Sequence, residues 1–107
     1  MAYKRKHTRL PIECLGDILR AGEVIPCKAA DLCERGMRIQ VAMPLKSGEE
    51  LTIVFGLGKT RRINCSIQVV RVMKGEFGAQ IVKISPEDQA YLTEFLDDFL
   101  ASNFGRF

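Results

Sequence analysis
The sequence predicts a mainly β protein, a six-stranded antiparallel barrel of split-barrel type with one C-terminal α-helix. Three observations predict it. From Leu10 to Ile84 the chain is a succession of short apolar or alternating runs. Turn residues break those runs at intervals, and none keeps a helical period for long. At Ser85 the pattern changes to one apolar stripe of helical period.

Taken in order, the predicted strands are Ile12–Leu19, Val24–Ala30, Met37–Val41, Leu51–Phe55, Ile63–Val72 and Gly78–Ile84. Between them stand Ala21-Gly22-Glu23, Glu34-Arg35-Gly36, Pro44 to Gly48, Gly56 to Lys59 and Lys74-Gly75-Glu76, all reasonable turn chemistry. Six short strands at this spacing suit a barrel. Ser85-Pro86-Glu87-Asp88 then supplies a capping hydroxyl, a proline at the first helical position and two acids at the positive end of the helix dipole. The helix is expected over about 86–101. Its stripe of Tyr91, Leu92, Phe95, Leu96, Phe99 and Leu100 packs on the barrel or on a partner, with Glu94, Asp97 and Asp98 on the other side. Residues 1–9 read as a flexible basic arm, 10–102 as the folded unit and 103–107 as a tail.

Composition narrows the function classes. The 107 residues suit a single domain with one core. No apolar run approaches the ~20 residues that span a bilayer, and the charged start is unlike a secretory signal. A cytoplasmic protein without membrane insertion is expected. Net charge is +3, unevenly spread: Lys4, Arg5, Lys6 and Arg9 sit in the first ten residues with no acid, whereas the last 23 residues sum to −4. Such an arm attracts phosphate, while the near-neutral body offers no broad surface to a long nucleic acid. Cys14, Cys27, Cys33 and Cys65 include no Cys-x-x-Cys pair, and the one histidine is His7. A zinc site normally needs such pairing, so these read as small, mostly buried thiols, and no metal or cofactor is expected.

Two constellations carry possible chemistry. Arg5 and Arg9 are four apart, so their Cβ atoms lie about 5–6 Å apart in a helical arm and about 13 Å apart in an extended one. A guanidinium can donate two parallel hydrogen bonds to phosphate or to the O6 and N7 edge of guanine. Alone, a basic terminus is more often a solvated tail. The second is Asp31-Leu32-Cys33-Glu34-Arg35-Gly36, where Gly36 is expected to take a backbone conformation closed to other residues. The Asp31 carboxylate is suited to the N1–H and N2–H of guanine, yet alone the stretch reads more readily as a hairpin turn. The remaining candidates are weaker. Glu49-Glu50, Asp97-Asp98 and the cluster Lys59, Arg61, Arg62 read as solvated surface or loop, and Gly56-Leu57-Gly58-Lys59 lacks the length of a phosphate-binding P-loop.

Together, Arg5-Lys6-His7-Thr8-Arg9 and Asp31-Leu32-Cys33-Glu34-Arg35-Gly36 resemble the RxxxR arm and [D/N]xSxxG turn of a PilZ domain. The likeness continues through Arg9 to Ile12, Gly36 to Ile39, Pro44 to Gly48, Val69 to Arg71 and Phe77 to Ile81. That family's six-stranded barrel with a C-terminal helix agrees with the element count above. The resemblance implies a non-enzymatic receptor for cyclic di-GMP, the arm ordering over the ligand. Arg5, Arg9, Asp31, Cys33 and Gly36 would form the site, with Lys4, Lys6 and Arg38 as further contacts and Gln80 as a speculative one. Cys33 departs from the pattern by replacing serine. Loss of one neutral hydrogen bond there would cost about 0.5–1.5 kcal/mol, a several-fold to roughly tenfold weakening. The output would pass through protein contacts to an effector the sequence does not name. The apolar stripe and the tail phenylalanines leave room for a homodimer. The competing expectation is an interaction adaptor of the same fold, in pilus or motility machinery, that binds no nucleotide.

Overall fold
The computed structural model describes residues 10–58 and 61–104. The predicted arm, with Lys4, Arg5, Lys6 and Arg9, lies outside them, as do Lys59 and the last three residues of the predicted tail. The strands are β1 (Leu10–Arg20), β2 (Glu23–Leu32), β3 (Gly36–Val41), β4 (Glu50–Leu57), β5 (Arg61–Met73) and β6 (Glu76–Ile84), followed by the helix α1 (Pro86–Phe104). They form a closed antiparallel barrel in the order β1-β2-β3-β6-β5-β4. Every expected element is present. Most run one or two residues beyond their apolar runs, because ladder hydrogen bonds continue past the last side chain that can be buried. The helix likewise continues three residues past 101.

Alternation dictates what fills the barrel. Ile12, Cys14 and Ile18 of β1, Leu51, Ile53, Phe55 and Leu57 of β4, and Ile63, Cys65, Ile67 and Val69 of β5 face inward and are buried. Met37, Ile39, Phe77 and Ala79 complete the wall from β3 and β6. The helix stripe packs on this core rather than leaving itself for a partner: Leu92 and Leu96 are fully buried and join the same cluster, while Tyr91, Phe95 and Phe99 flank it half-buried.

Polar contacts hold the helix against the barrel. Ser85 Oγ accepts the Asp88 amide at 3.1 Å, the capping bond its position in sequence predicts. Asp88 then accepts Arg61 Nη2 at 2.9 Å and the Asn64 amide at 3.1 Å, and Tyr91 donates to the Leu57 carbonyl at 3.2 Å. The Arg61 guanidinium lies 5.1 Å from the Tyr91 ring centroid, within cation–π range. Arg61 and Arg62 are therefore not a solvated loop. Both lie in β5, where they pair with Asp88 and Asp17. Glu49 is likewise no idle surface acid: it pairs with Arg20 at 3.1 Å and accepts the Lys46 amide at 3.0 Å, tying off the loop before β4.

Candidate functional site
The residues Asp31–Gly36 are the hairpin between β2 and β3. The Cys33 amide donates to the Gly36 carbonyl at 3.0 Å, and Glu34 and Arg35 form the tip. The Cys33 thiol is buried, and its Sγ accepts the Arg35 amide at 3.4 Å. The sulfur thus performs the turn-closing role that a serine or threonine oxygen commonly takes. The Arg35 carbonyl accepts the Ile81 amide at 2.7 Å, which fastens the tip to β6 as well.

Two positions take their character from the backbone. Asp31 has φ of +51°, a left-handed conformation that aspartate tolerates better than most side chains. There the inward alternation slips, Ala29 and Leu32 both being buried at a spacing of three, opposite a register shift in β1 between Leu10 and Glu13. The Asp31 side chain is left partly exposed. Gly36 needs its glycine for a reason other than the expected one. Its φ is not positive; instead a Cβ there would overlap the Ala79 carbonyl oxygen. The close approach of β3 to β6 is what excludes a side chain.

Beside the turn are two surface concavities that share Arg35 and Ile81. One, of about 310 Å³, is bounded by Cys33, Gly36, Val70, Ala79 and Gln80. The other, of about 700 Å³, reaches Glu34, Val82, Lys83, Ile84 and Gln89 at the start of α1. Each contains a bulged valine. The β5–β6 register slips between Val69 and Arg71 and again between Ser66 and Ile67, leaving Val70 and Val82 outside the ladder and about half exposed. Bulges of this kind re-aim side chains beside sites. Sequence reasoning missed Arg35, Val70 and Val82 as site residues. The one signal for Val70 was the consecutive Val69-Val70, which breaks the alternation of β5.

Behind the turn, charges are already paired. Arg38 Nε lies 3.3 Å from Asp31 Oδ2, and Arg38 Nη1 lies 3.2 Å from Glu76 Oε1. Gln40 Nε2 donates to Glu76 Oε2 at 2.9 Å. The structure thus brings together Asp31, Cys33, Gly36 and Arg38 of the expected set. Leu10, the first described residue, pairs with Leu32, which stands between Asp31 and Cys33 in sequence.

Burial pushes the barrel thiols up, Cys14 and Cys27 to about 11 and Cys65 to about 12, the Asp17 charge adding to the shift at Cys27 and the Asp88 charge at Cys65. Thiols held protonated in this way are poor nucleophiles and metal ligands. Among the described residues, no group of three or more His, Cys, Asp or Glu is placed to hold a metal ion, and no helix is long and apolar enough to cross a membrane.

The sequence model of the PilZ domain matches residues 3–98. No curated protein matches the chain. Among solved structures, the Bacillus subtilis inhibitor of motility (MotI/DgrA) superposes with a TM-score of 0.80 at 18% identity, over 94% of this chain and 53% of its own. This chain thus spans about half the length of that protein. The PilZ domain of YcgR from Escherichia coli, solved with c-di-GMP, superposes at 0.70 and 14% identity over 97% of this chain and 100% of its own. The PilZ domain of CeSA from a cellulose-synthesizing bacterium does so at 0.65 and 12% over 85% and 96%. At these identities the likeness establishes the fold.

Proposed function
The chain belongs to the PilZ domain family, and from that premise we propose that it is a non-enzymatic cyclic di-GMP receptor that signals through protein contacts. The observation that carries the proposal is the pairing of Leu10 with Leu32. Leu10 directly follows the RxxxR motif in sequence and Leu32 stands between Asp31 and Cys33, which supports one ligand shared by arm and turn. YcgR, which shares the fold, was solved with that ligand.

In this reading the Asp31 carboxylate accepts N1–H and N2–H of one guanine. Arg5 and Arg9 supply forked donors to phosphates and to the guanine O6 and N7 edge. Lys4 and Lys6 add attraction without geometry. Arg35, exposed at the hairpin tip and shared by both concavities, is a further cation for phosphate. Gly36 permits the close β3–β6 contact on which the turn rests, and Cys33 sets the shape of that turn. Because Cys33 is spent on an internal bond, its difference from serine has a small effect on affinity. The ligated arm and turn present an altered surface to an effector protein.

Calorimetric titration with cyclic di-GMP tests the reading. The parent protein binds at micromolar concentration, Arg5→Ala/Arg9→Ala weakens binding at least tenfold, and Cys33→Ser binds equally or modestly more tightly. No heat from the parent at tens of micromolar ligand leaves the adaptor reading in its place.

A further inference from the structure
We infer that Arg38 is a positioning residue: it orients the Asp31 carboxylate for guanine and does not itself contact the ligand. The inference rests on the cyclic di-GMP reading. Arg38 projects outward from β3 and lies between two carboxylates from different strands, Asp31 at 3.3 Å and Glu76 at 3.2 Å. Glu76 is in turn held by Gln40, its cross-strand partner, at 2.9 Å. The result is a chain Gln40–Glu76–Arg38–Asp31 across β2, β3 and β6. All three charged members are about two-thirds buried, with side-chain exposures of 36% for Asp31, 31% for Arg38 and 30% for Glu76. A guanidinium committed to two acids carries no spare charge for a phosphate.

The geometry of the last link gives the chain its use. Arg38 Nε is buried and lies close to Asp31 Oδ2, yet has no aligned hydrogen-bond partner. The anchor also falls on a residue whose left-handed backbone already restricts it. A carboxylate reads guanine by accepting N1–H and N2–H side by side, so its plane must match the plane of the base. A guanidinium whose Nη1 is tied to Glu76 and whose Nε faces Oδ2 restrains that carboxylate from the protein side before the ligand arrives, and each carboxylate oxygen retains capacity for a further bond.

The experiment compares cyclic di-GMP with cyclic di-inosine monophosphate, which keeps the phosphates and N1–H but lacks the 2-amino group. In the parent the guanine ligand is preferred by about tenfold or more, the size expected for hydrogen bonding to a charged group. In Arg38→Met the preference falls to about threefold or less, because the guanine ligand, which makes both bonds to Asp31, weakens more than the inosine ligand, which makes one. Arg38→Lys, which keeps the charge and loses the fork, behaves as Arg38→Met. Equal weakening toward both ligands in Arg38→Met, with recovery in Arg38→Lys, would mean a direct phosphate contact and overturns the inference. A ligand-free readout separates this from failure of the receptor reading. Asp31→Asn must move the Arg38 Nε–H resonance in the NMR spectrum of the unliganded protein, and an unmoved resonance overturns the positioning role whether or not any nucleotide binds.

Discussion
Gly36 and Asp31 stand five residues apart in one motif and owe their identities to different constraints. Asp31 carries the unusual backbone, at φ +51°, and Gly36 carries the steric one, against the Ala79 carbonyl. Gly36→Ala must therefore push β3 from β6 at the foot of the turn. The expected cost is about 1–3 kcal/mol, and a melting temperature lower by roughly 4 °C or more is the measurement that checks it; an unchanged melt would mean the strands separate freely. None of this was legible in the six letters of the motif. A glycine in a turn suggests positive φ by default, whereas a close approach depends on a strand forty residues away in sequence. That Cys33 replaces a serine was legible; that its sulfur closes the turn on the Arg35 amide was not.

Among the elements, α1 was the most readable. Its cap, its first-turn acids and its stripe each follow from local chemistry, and all appear. The sequence could not say that Asp88 serves both as an N-terminal acid and as the acceptor for β5. Hydrogen bonding from Arg61 and from the Asn64 amide, with the charge of Arg61, draws its pKa below the ordinary 3.8 despite partial desolvation. A lowered folded value contributes stability above the unfolded pKa and loses it as pH falls toward and through the folded one. Replacing Asp88 with Asn accordingly lowers stability by about 1–2 kcal/mol at neutral pH. The gap between parent and variant narrows as the pH is taken below about 3.8. Thermal melts of both proteins from pH 7 to pH 2 measure this, and a gap that widened in acid would contradict it. The bulged valines of β5 and β6 were illegible for the opposite reason: a bulge is settled by the register of two strands, and one sequence run holds only half of it.

Across the whole molecule, three thiols belong to the same buried core as Leu92, Leu96 and Leu100 of α1. With their pKa values pushed up to about 11, 11 and 12, these thiols stay protonated near neutrality and away from solvent. A chromogenic disulfide reagent at pH 8 should titrate at most one thiol per native chain quickly, and all four in denaturant. Leu96→Ala, at a cost of about 2–5 kcal/mol, should accelerate the slow phase by opening the barrel more often. Rapid titration of several native thiols would show that the helix does not keep the core closed.

The sequence by itself determined the fold class, the order of the elements, the helix cap and the helix stripe that meets the core. Those follow from periodicity and from the preferences of residues close together in the chain. Only the tertiary structure decided that Leu10 lies beside Leu32, that Arg38 is committed to two acids and that Arg35, Val70 and Val82 border the concavities. Each of these depends on the register between strands distant in sequence, and register is set by the packing of the closed barrel as a whole.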